Sequence, residues 1–175
     1  RFDGRPIQGL PPHAICKAGI ARTFQIVQTF GPMSVHEAVT VAALNRTRSV
    51  PAAKCRALEV LARFGLEHKA SQPCSTLTPA EQKRLELVRA LATGPRLILM
   101  DECMAGLTET EAAAMMAAVR EIKMEGIALV VVEHVMRVVM SLCEKIYVIN
   151  FGKIIAYGTP QEVSNDKEVI RAYLG

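Results

Sequence analysis

Short apolar runs alternate with helical periodicity over the last third of the chain. Residues 96–100 and 128–132 are apolar on both faces, which is typical of strands in a parallel sheet covered by helices. Between them, residues 109–125 are rich in strong helix formers and stop before Gly126, a residue type that commonly terminates helices. The pattern predicts a β–α–β unit, which we expect to be a right-handed crossover.

Other segments predict the elements around this unit. Residues 145–157 predict a hairpin with its turn at 150–153, and residues 158–175 predict a helix followed by a docked tail. Residues 20–25 predict a strand that ends at a polar residue. From residue 32 to about residue 92 the periodicity is helical, so a mostly helical stretch interrupts an α/β core.

Four helix starts carry the capping box, in which Ser or Thr precedes Glu by three residues. In two of them, Pro79 and Pro160 occupy the first helical position, where proline is favoured. We expect a helix to begin at each of the four. The pairs are Ser34 with Glu37, Thr78 with Glu81, Thr108 with Glu111, and Thr159 with Glu162.

Composition narrows the class of protein. The chain has 175 residues and is 50% hydrophobic and 22% charged, which excludes a disordered chain and predicts one domain with a real core. No apolar run approaches the roughly 18–20 residues of a membrane-spanning helix, and we expect no secretory signal peptide. Five scattered cysteines without a CxxC pair support neither a disulfide framework nor a zinc site, and they favour a reducing cytosol.

The sequence starts at Arg1 in mid-pattern, so we expect a fragment of a longer protein. Because strands upstream would then be absent, we expect an unpaired sheet edge along residues 97–100 and a tendency to aggregate.

Charge is unevenly distributed along the chain. The net charge of +4 combines a basic excess in residues 1–100 with an acidic excess in residues 101–175. A solvated basic face is the simpler explanation, and a phosphate-rich or membrane-proximal partner is the alternative. The net charge is too small to indicate nucleic acid, and we expect no nucleic-acid partner.

Two carboxylates, Asp101 and Glu102, directly follow the first apolar run. Ligands of open α/β sheets bind at the carboxyl ends of strands. There Asp101 is suited to hold Mg²⁺ and Glu102 to polarise a water for attack on phosphorus, which is the pairing that phosphoryl transfer needs. His134 ends the next strand and is a candidate for contacting the same ligand, although a single histidine is more often structural.

The chain contains no phosphate-binding P-loop. Gly4 and Gly9 have the GxxxxG spacing, but Leu10 and Pro11 follow where Lys and then Ser or Thr are required. No lysine of the chain precedes Ser or Thr. The residues alone therefore indicate phosphoryl or metal chemistry at strand ends without a cradle for phosphate.

Taken in order, these segments resemble the ATP-binding subunit of an ABC transporter, in particular that of the branched-chain amino acid importers. The resemblance covers nearly the whole chain and keeps five landmarks in the order of the family. They are the Q-loop segment at residues 19–25 (GIARTFQ), the signature helix at 77–91 (LTPAEQKRLELVRAL), the Walker B strand at 92–102 (ATGPRLILMDE), the D-loop at 105–108 (AGLT) and the switch-histidine strand at 130–134 (VVVEH). Residues 150–163 are similar to the family's hairpin and following helix, and residues 171–175 to its closing tail.

The resemblance implies a fold class: an α/β, P-loop NTPase-like (ABC ATPase) core, truncated at the N-terminus, with an inserted mostly helical subdomain. Residues 1–30 would form a core segment with the Q-loop, and residues 31–93 the helical subdomain with the signature helix. Residues 94–175 would form the core with Walker B, D-loop, switch histidine, and C-terminal hairpin and helix. The family's P-loop would precede Arg1, so we expect the isolated chain to be inactive.

The resemblance also implies roles toward ATP and Mg²⁺. Glu102 would be the general base and His134 would contact the γ-phosphate, while Asp101 would bind Mg²⁺ and Gln25 would reach it through water. Two such subunits would enclose two ATP molecules head to tail and drive transmembrane permease subunits, as peripheral proteins at the cytoplasmic face of the inner membrane. The further residues expected to face nucleotide are Thr78, Ala80, Glu81, Gly106 and Thr108.

The signature departs from the Leu-Ser-Gly-Gly-Gln that is usual in the family. Pro79 has no N–H to donate, Ala80 narrows the freedom of the backbone, and Glu81 adds negative charge where phosphate is expected. Cys103 also stands where a proline commonly follows the Walker B carboxylates. These departures disfavour engagement of ATP by the opposite subunit.

Two other functions stay open at this point. One is a degenerate subunit that binds partners or nucleotide without useful hydrolysis, which the altered signature favours. The other, outside the family, is a small metal-dependent phosphohydrolase that uses Asp101 and Glu102.

Overall fold

The computed structural model describes residues 1–25 and 30–174. They belong to two compact units, residues 1–132 and residues 133–175. Residues 26–29, within the predicted core segment 1–30, and Gly175, within the predicted tail, lie outside the described residues. The division of the chain into residues 1–30, 31–93 and 94–175 stays a prediction.

The first unit contains a three-stranded parallel sheet formed by β1 (Ile20–Arg22), β2 (Leu97–Asp101) and β3 (Ala128–Val132), in that order. In its register, Leu99 of the central strand lies between Arg22 and Val130. The expectation of an unpaired edge along residues 97–100 is therefore wrong. β1 and β3 pair with the two sides of β2, so β2 is the central strand. β3 is an edge strand of the described sheet.

Helices alternate with these strands. The mostly helical stretch predicted from residue 32 to about residue 92, and the helix predicted between the two apolar strands, are both confirmed. The helices are α1 (Pro12–Ala18), α2 (Val35–Ala43), α3 (Val50–Arg63), α4 (Pro79–Ala92) and α5 (Glu109–Met124), with single 3₁₀ turns at Glu67–Lys69 and Cys74–Thr76.

The short helix α1 was not predicted from the sequence. Pro12 stands at its first position, and Gly19 ends it in the left-handed region with a φ of +109°. A Cβ at Gly19 would lie 3.1 Å from Nε of Arg96, so both the conformation and the close approach favour glycine there.

The apolar faces of α2, α3 and α4 pack against one another. In β2, the side chains of Ile98 and Met100 are buried. Burial of this strand fixes where its carboxyl end emerges, and with it the position of Asp101. The largest fully buried side chains of this unit are Val35, Val39, Val60, Leu61, Leu66, Leu87, Val88, Leu91, Ile98, Met100, Val119 and Ile122.

The second unit contains α6 (Met136–Leu142), the antiparallel hairpin β4 (Ile146–Asn150) and β5 (Lys153–Gly158), α7 (Pro160–Ser164) and α8 (Lys167–Leu174). Its core is formed by Ile146, Val163 and Val169. The predicted hairpin is confirmed. The tail is docked as predicted, in the form of the helix α8, which packs against β5 and buries Val169. At its start Asp166 accepts the backbone N–H groups of Glu168 and Val169 at 2.8 and 3.2 Å.

All four predicted capping boxes are formed, with both reciprocal hydrogen bonds in each. Pro79 and Pro160 stand at the first helical position, as predicted. In the part of the chain that the structure describes, no helix has both the length and the apolar character needed to cross a membrane.

Candidate functional site

Asp101 is the last residue of β2, and the neighbouring strand β1 fixes its position. The backbone N–H of Thr23 donates to the carbonyl of Leu99 at 2.9 Å, which extends the pairing beyond β1. The buried Thr23 hydroxyl then accepts the backbone N–H of Asp101 at 3.3 Å. Arg22 donates from Nη2 to Oδ2 of Asp101 at 3.0 Å, so a guanidinium not predicted from the sequence faces this carboxylate.

Glu102 follows in a conformation that non-glycine residues rarely adopt. Its φ is +45°, and its backbone N–H donates to the carbonyl of Val132 at 2.9 Å. Residues held in this region persist where the surrounding structure imposes the conformation, and they are frequent at functional sites. The carboxylate accepts a hydrogen bond from Nε2 of Gln25 at 2.6 Å. The structure thus brings together two residues that were predicted to serve one site.

The loop between Glu102 and α5 is tied to α4 by Lys83. The ammonium of Lys83 donates to the carbonyl of Ala105 and, at 3.4 Å, to the carbonyl of Glu102. Gly106 in this loop has a φ of +73°, and a Cβ there would meet no atom within 4 Å, so its conformation rather than space favours glycine.

Thr108 ends this loop and caps α5. Its hydroxyl accepts the backbone N–H of Glu111 at 3.3 Å, while the Glu111 carboxylate accepts the Thr108 backbone N–H at 2.8 Å. The backbone N–H of Thr108 is therefore already bonded within the chain.

The start of α4 is occupied by the chain's own carboxylate. Glu81 accepts the backbone N–H of Thr78 at 2.8 Å, and the Thr78 hydroxyl accepts the backbone N–H of Glu81 at 3.3 Å. Lys69 lies 2.7 Å from the other oxygen of Glu81. Burial opposes the shift, but the hydrogen bonds from Lys69 and Thr78 hold the pKa of Glu81 below its ordinary value. Lys69 was not foreseen, and it offsets the negative charge that was expected to repel phosphate.

A buried carboxylate anchors the backbone that leads into Gln25. Glu86 of α4, only 6% exposed, accepts the backbone N–H of Phe24 at 2.8 Å. Burial raises the pKa of Glu86, and the charges of Arg89 and Lys83 only partly offset it. Burial likewise lowers the pKa of Arg89. A cavity of about 550 Å³ adjoins this pair, lined by residues of α1, β1, α2 and α4.

The donor chemistry at this strand end fits Mg²⁺. This ion prefers oxygen ligands, and it commonly binds through one or two carboxylates together with waters and phosphate oxygens. Asp101 offers a carboxylate at the end of β2, and Gln25 an amide oxygen beside Glu102. Residues 1–25 and 30–174 include no group of three or more His, Cys, Asp or Glu side chains that would form a protein-only metal cage.

His134 lies in the second unit, two positions after the end of β3. Its contact with the γ-phosphate therefore stays a prediction from the resemblance. The roles of the other predicted residues toward nucleotide are likewise predictions, although Gln25, Asp101 and Glu102 do lie at one strand end.

Comparison with known proteins decides the family. Residues 1–105, more than half of the chain, match the ABC transporter family. The chain belongs to the ATP-binding subunits of ABC transporters. Residues 153–175 of this ABC subunit also match the branched-chain amino acid ATP-binding cassette transporter family. The predicted ABC ATPase fold class is thereby confirmed.

Relatives of the ABC subunit support this assignment. It is 35% identical over 191 residues to the high-affinity branched-chain amino acid transport ATP-binding protein BraF of Pseudomonas aeruginosa, across 100% of this chain and 75% of the relative. It is 35% identical over 185 residues to LivG of Escherichia coli, which carries the same description, across 97% and 72%. A crystal structure of a nucleotide-free ATP-binding cassette from an ABC transporter superposes with a TM-score of 0.84 at 28% identity, across 98% of this chain and 74% of that one.

Proposed function

We propose that this chain is the ATP-binding and ATP-hydrolysing subunit of an importer for branched-chain amino acids or similar solutes. The observation that carries the proposal is the hydrogen bond of 2.6 Å between Gln25 and Glu102 at the carboxyl end of the Walker B strand. The names of BraF and LivG, which describe branched-chain amino acid transport, support the solute class.

In this proposal Glu102 is the general base. Its carboxylate lies beyond the end of β2 and is oriented from one side by the Gln25 amide. A base in this position takes the proton of the water that attacks the γ-phosphate, and Gln25 keeps the carboxylate directed toward the strand end. His134 is proposed to contact the γ-phosphate.

Asp101 and Gln25 are proposed to hold Mg²⁺, with Gln25 acting through water. When bound, Mg²⁺ neutralises charge on the phosphate oxygens. Arg22 already pairs with Asp101 at 3.0 Å, so we infer that this arginine yields one carboxylate oxygen when the ion binds.

ATP-binding subunits of this family work as dimers with transmembrane permease subunits. For this chain we propose a head-to-tail pair in which the start of α4 and the loop after β2 face the nucleotide of the opposite subunit. The pair would act on a partner permease at the cytoplasmic face of the inner membrane. The residues proposed to face nucleotide in this way are Thr78, Ala80, Glu81, Gly106 and Thr108.

One observation favours the alternative of a subunit that does not hydrolyse ATP. The helix start that would meet the opposite nucleotide is capped by Glu81, which Lys69 pairs at 2.7 Å. In that case the chain would act as a partner-binding module. The comparisons give this alternative no support.

The substitution Glu102→Gln tests the hydrolytic role. In the assembled transporter that contains this chain, we expect ATP turnover to fall by about 10²–10⁴-fold while ATP binding persists, because the amide keeps the shape but is no base. Glu121→Gln, an exposed change on α5, is the matched control. Turnover that survives Glu102→Gln nearly unchanged would make Glu102 an ordinary strand-end carboxylate.

A further inference from the structure

Lys83 is a half-buried residue of α4 whose ammonium contacts the loop after the Walker B strand. It donates to the carbonyl of Ala105 and, at 3.4 Å, to that of Glu102. Hydrogen bonds from a charged donor are stronger than those between neutral groups. Lys83 therefore connects a helix and a loop that lie about twenty residues apart in sequence.

The loop also has two backbone hydrogen bonds of its own. The N–H of Ala105 donates to the carbonyl of Glu102 at 3.3 Å, and that of Leu107 to the carbonyl of Met104 at 3.3 Å. Glu102 meanwhile holds a φ of +45°, a conformation that neighbouring groups must impose. The same carbonyl of Glu102 that receives the Ala105 N–H also receives Lys83, so the ammonium acts on the residue whose backbone is strained.

Backbone conformation decides where the Glu102 side chain points. Val132 fixes the N–H of Glu102 at 2.9 Å, Lys83 contacts its carbonyl, and Gln25 contacts its carboxylate at 2.6 Å. Groups from three separate parts of the chain thus contact this one residue. Of these contacts, only the one from Lys83 comes from the helix that carries the signature.

We propose that Lys83 is a positioning residue for ATP hydrolysis: from α4 it holds the backbone of Glu102 and Ala105, and so directs the Glu102 carboxylate. This role rests on the proposed function. Lys83 acts through Glu102 and does not contact nucleotide. It makes the signature helix and the hydrolytic carboxylate move together.

Steady-state kinetics of the assembled transporter test the role. Lys83→Met, which keeps the aliphatic stem and removes the donor, should lower kcat about tenfold, as expected when a bond that orients a catalytic group is lost. The KM for ATP should change less than about twofold, because nucleotide contacts are untouched. Lys83→Arg should recover most of kcat, since a guanidinium also donates to carbonyls. Unchanged kcat in Lys83→Met, or no recovery in Lys83→Arg, would overturn the proposal.

Cys103 provides a readout that does not depend on hydrolysis. It follows Glu102 directly and is only 8% exposed, so its labelling by a thiol reagent reports opening of this loop. Lys83→Met should raise the labelling rate of Cys103, measured by peptide mass spectrometry, and leave that of the buried Cys74 unchanged. Lys54→Met is the matched control, because Lys54 is an exposed lysine of a different helix, α3, with its charge near Glu37.

The two failures are distinguishable. If the wild-type assembly does not hydrolyse ATP, the proposed function fails, and the catalytic role of Lys83 fails with it. If the wild type hydrolyses ATP but Lys83→Met changes neither kcat nor Cys103 labelling, only the role of Lys83 is overturned. Equal acceleration of Cys103 and Cys74 labelling would show general loosening of the fold and would also overturn it.

Discussion

Gln25 and Glu102 are joined by a hydrogen bond of 2.6 Å although 77 positions separate them in the chain. Gln25 follows the first strand of the parallel sheet, and Glu102 follows the second. Pairing of the two strands in parallel places both carboxyl ends at one edge, which is where ligands of α/β folds bind. The amide therefore orients the carboxylate that we propose as the base.

Replacing Gln25 should impair hydrolysis more than nucleotide binding. Gln25→Ala removes the donor to Glu102, so the carboxylate loses an orienting contact, and we expect kcat to fall about tenfold. Gln72→Ala, an exposed amide away from the site, is the control. ATPase assays of the assembled transporter measure kcat for both variants. A kcat equal to that of the wild type would mean that the hydrogen bond has no catalytic role.

Converting the signature toward the family pattern should speed hydrolysis and weaken the fold. Changing Pro79 and Ala80 to Gly and Glu81 to Gln restores backbone donors and removes the charge at the start of α4. Each recovered charge-assisted hydrogen bond contributes about 1.5–3 kcal/mol, so we expect at least about a tenfold gain in ATPase rate. Loss of the cap should cost about 0.5–2 kcal/mol of unfolding free energy, in addition to the penalty of two glycines.

The second unit offers a matched control for this change. At the start of α7, Thr159, Pro160 and Glu162 form a capping box with the same pattern of residues as at α4. Glu162→Gln should weaken that cap without any gain in ATPase rate. A signature variant that assembles normally but hydrolyses ATP no faster would remove the main argument for a degenerate subunit.

Stability should depend on pH through Glu86. Because burial raises its pKa, the folded chain binds this proton more tightly than the unfolded chain does. The resulting stabilisation is present below the unfolded pKa of about 4.3 and is lost as the pH rises through the folded pKa. Glu86→Gln keeps an oxygen for the Phe24 N–H and removes the charge. The free energy of unfolding of Glu86→Gln, relative to that of the wild type, should therefore be higher at about pH 7 than at about pH 4.

Denaturant titrations at the two pH values measure this difference. Glu59→Gln is the control, because it removes an exposed carboxylate that pairs with Arg56 and leaves Glu86 in place. A difference between Glu86→Gln and wild type that is the same at both pH values would contradict the assignment.

The isolated 175-residue chain should bind ATP·Mg²⁺ poorly. Its sequence has no GxxxxGK[ST] motif, whose backbone amides and lysine supply most contacts to the β- and γ-phosphates. Isothermal titration calorimetry should give an affinity weaker than about 1 μM, or about −8 kcal/mol. Micromolar or tighter binding would show that other residues of the chain hold the phosphates.

Self-association of the isolated chain should involve β3. Val130 and Val132 are 50% and 57% exposed on this edge strand, and unpaired apolar edges invite pairing with other chains. Replacing both with Lys should reduce the apparent mass in light scattering. Val41→Lys combined with Val50→Lys, which adds the same two charges at similarly exposed helical positions, should not. Equal effects of the two variants would point to net charge rather than to the strand edge.

Local rules were sufficient for much of the fold. All four capping boxes formed because Ser or Thr and Glu three residues later lie within one helical turn, whatever the rest of the chain does. The apolar runs became β2 and β3, as strands of a parallel sheet are rich in apolar residues, although one face of β3 is exposed at Val130 and Val132. The helix α1 was missed because its seven residues are too few for a clear periodicity.

At the candidate site, too, some residues could be predicted from the sequence and others could not. The sequence identified Asp101 and Glu102 as strand-end carboxylates, and family resemblance added Gln25. Arg22, Lys69 and Lys83 carried no signal, because a basic side chain in a helix, turn or short strand reads as an ordinary solvated charge. Only the fold gave each of them a partner: Asp101, Glu81 and the carbonyls of the loop after β2.

Sequence by itself thus determined the elements, their caps and the carboxylates at the end of β2. Tertiary structure decided which distant groups meet there. Contacts across 77 to 79 positions, from Gln25 to Glu102 and from Arg22 to Asp101, depend on the order and register of the strands. Those are set by the burial of β2 between its neighbours, a property of the packed core that no local stretch of sequence contains.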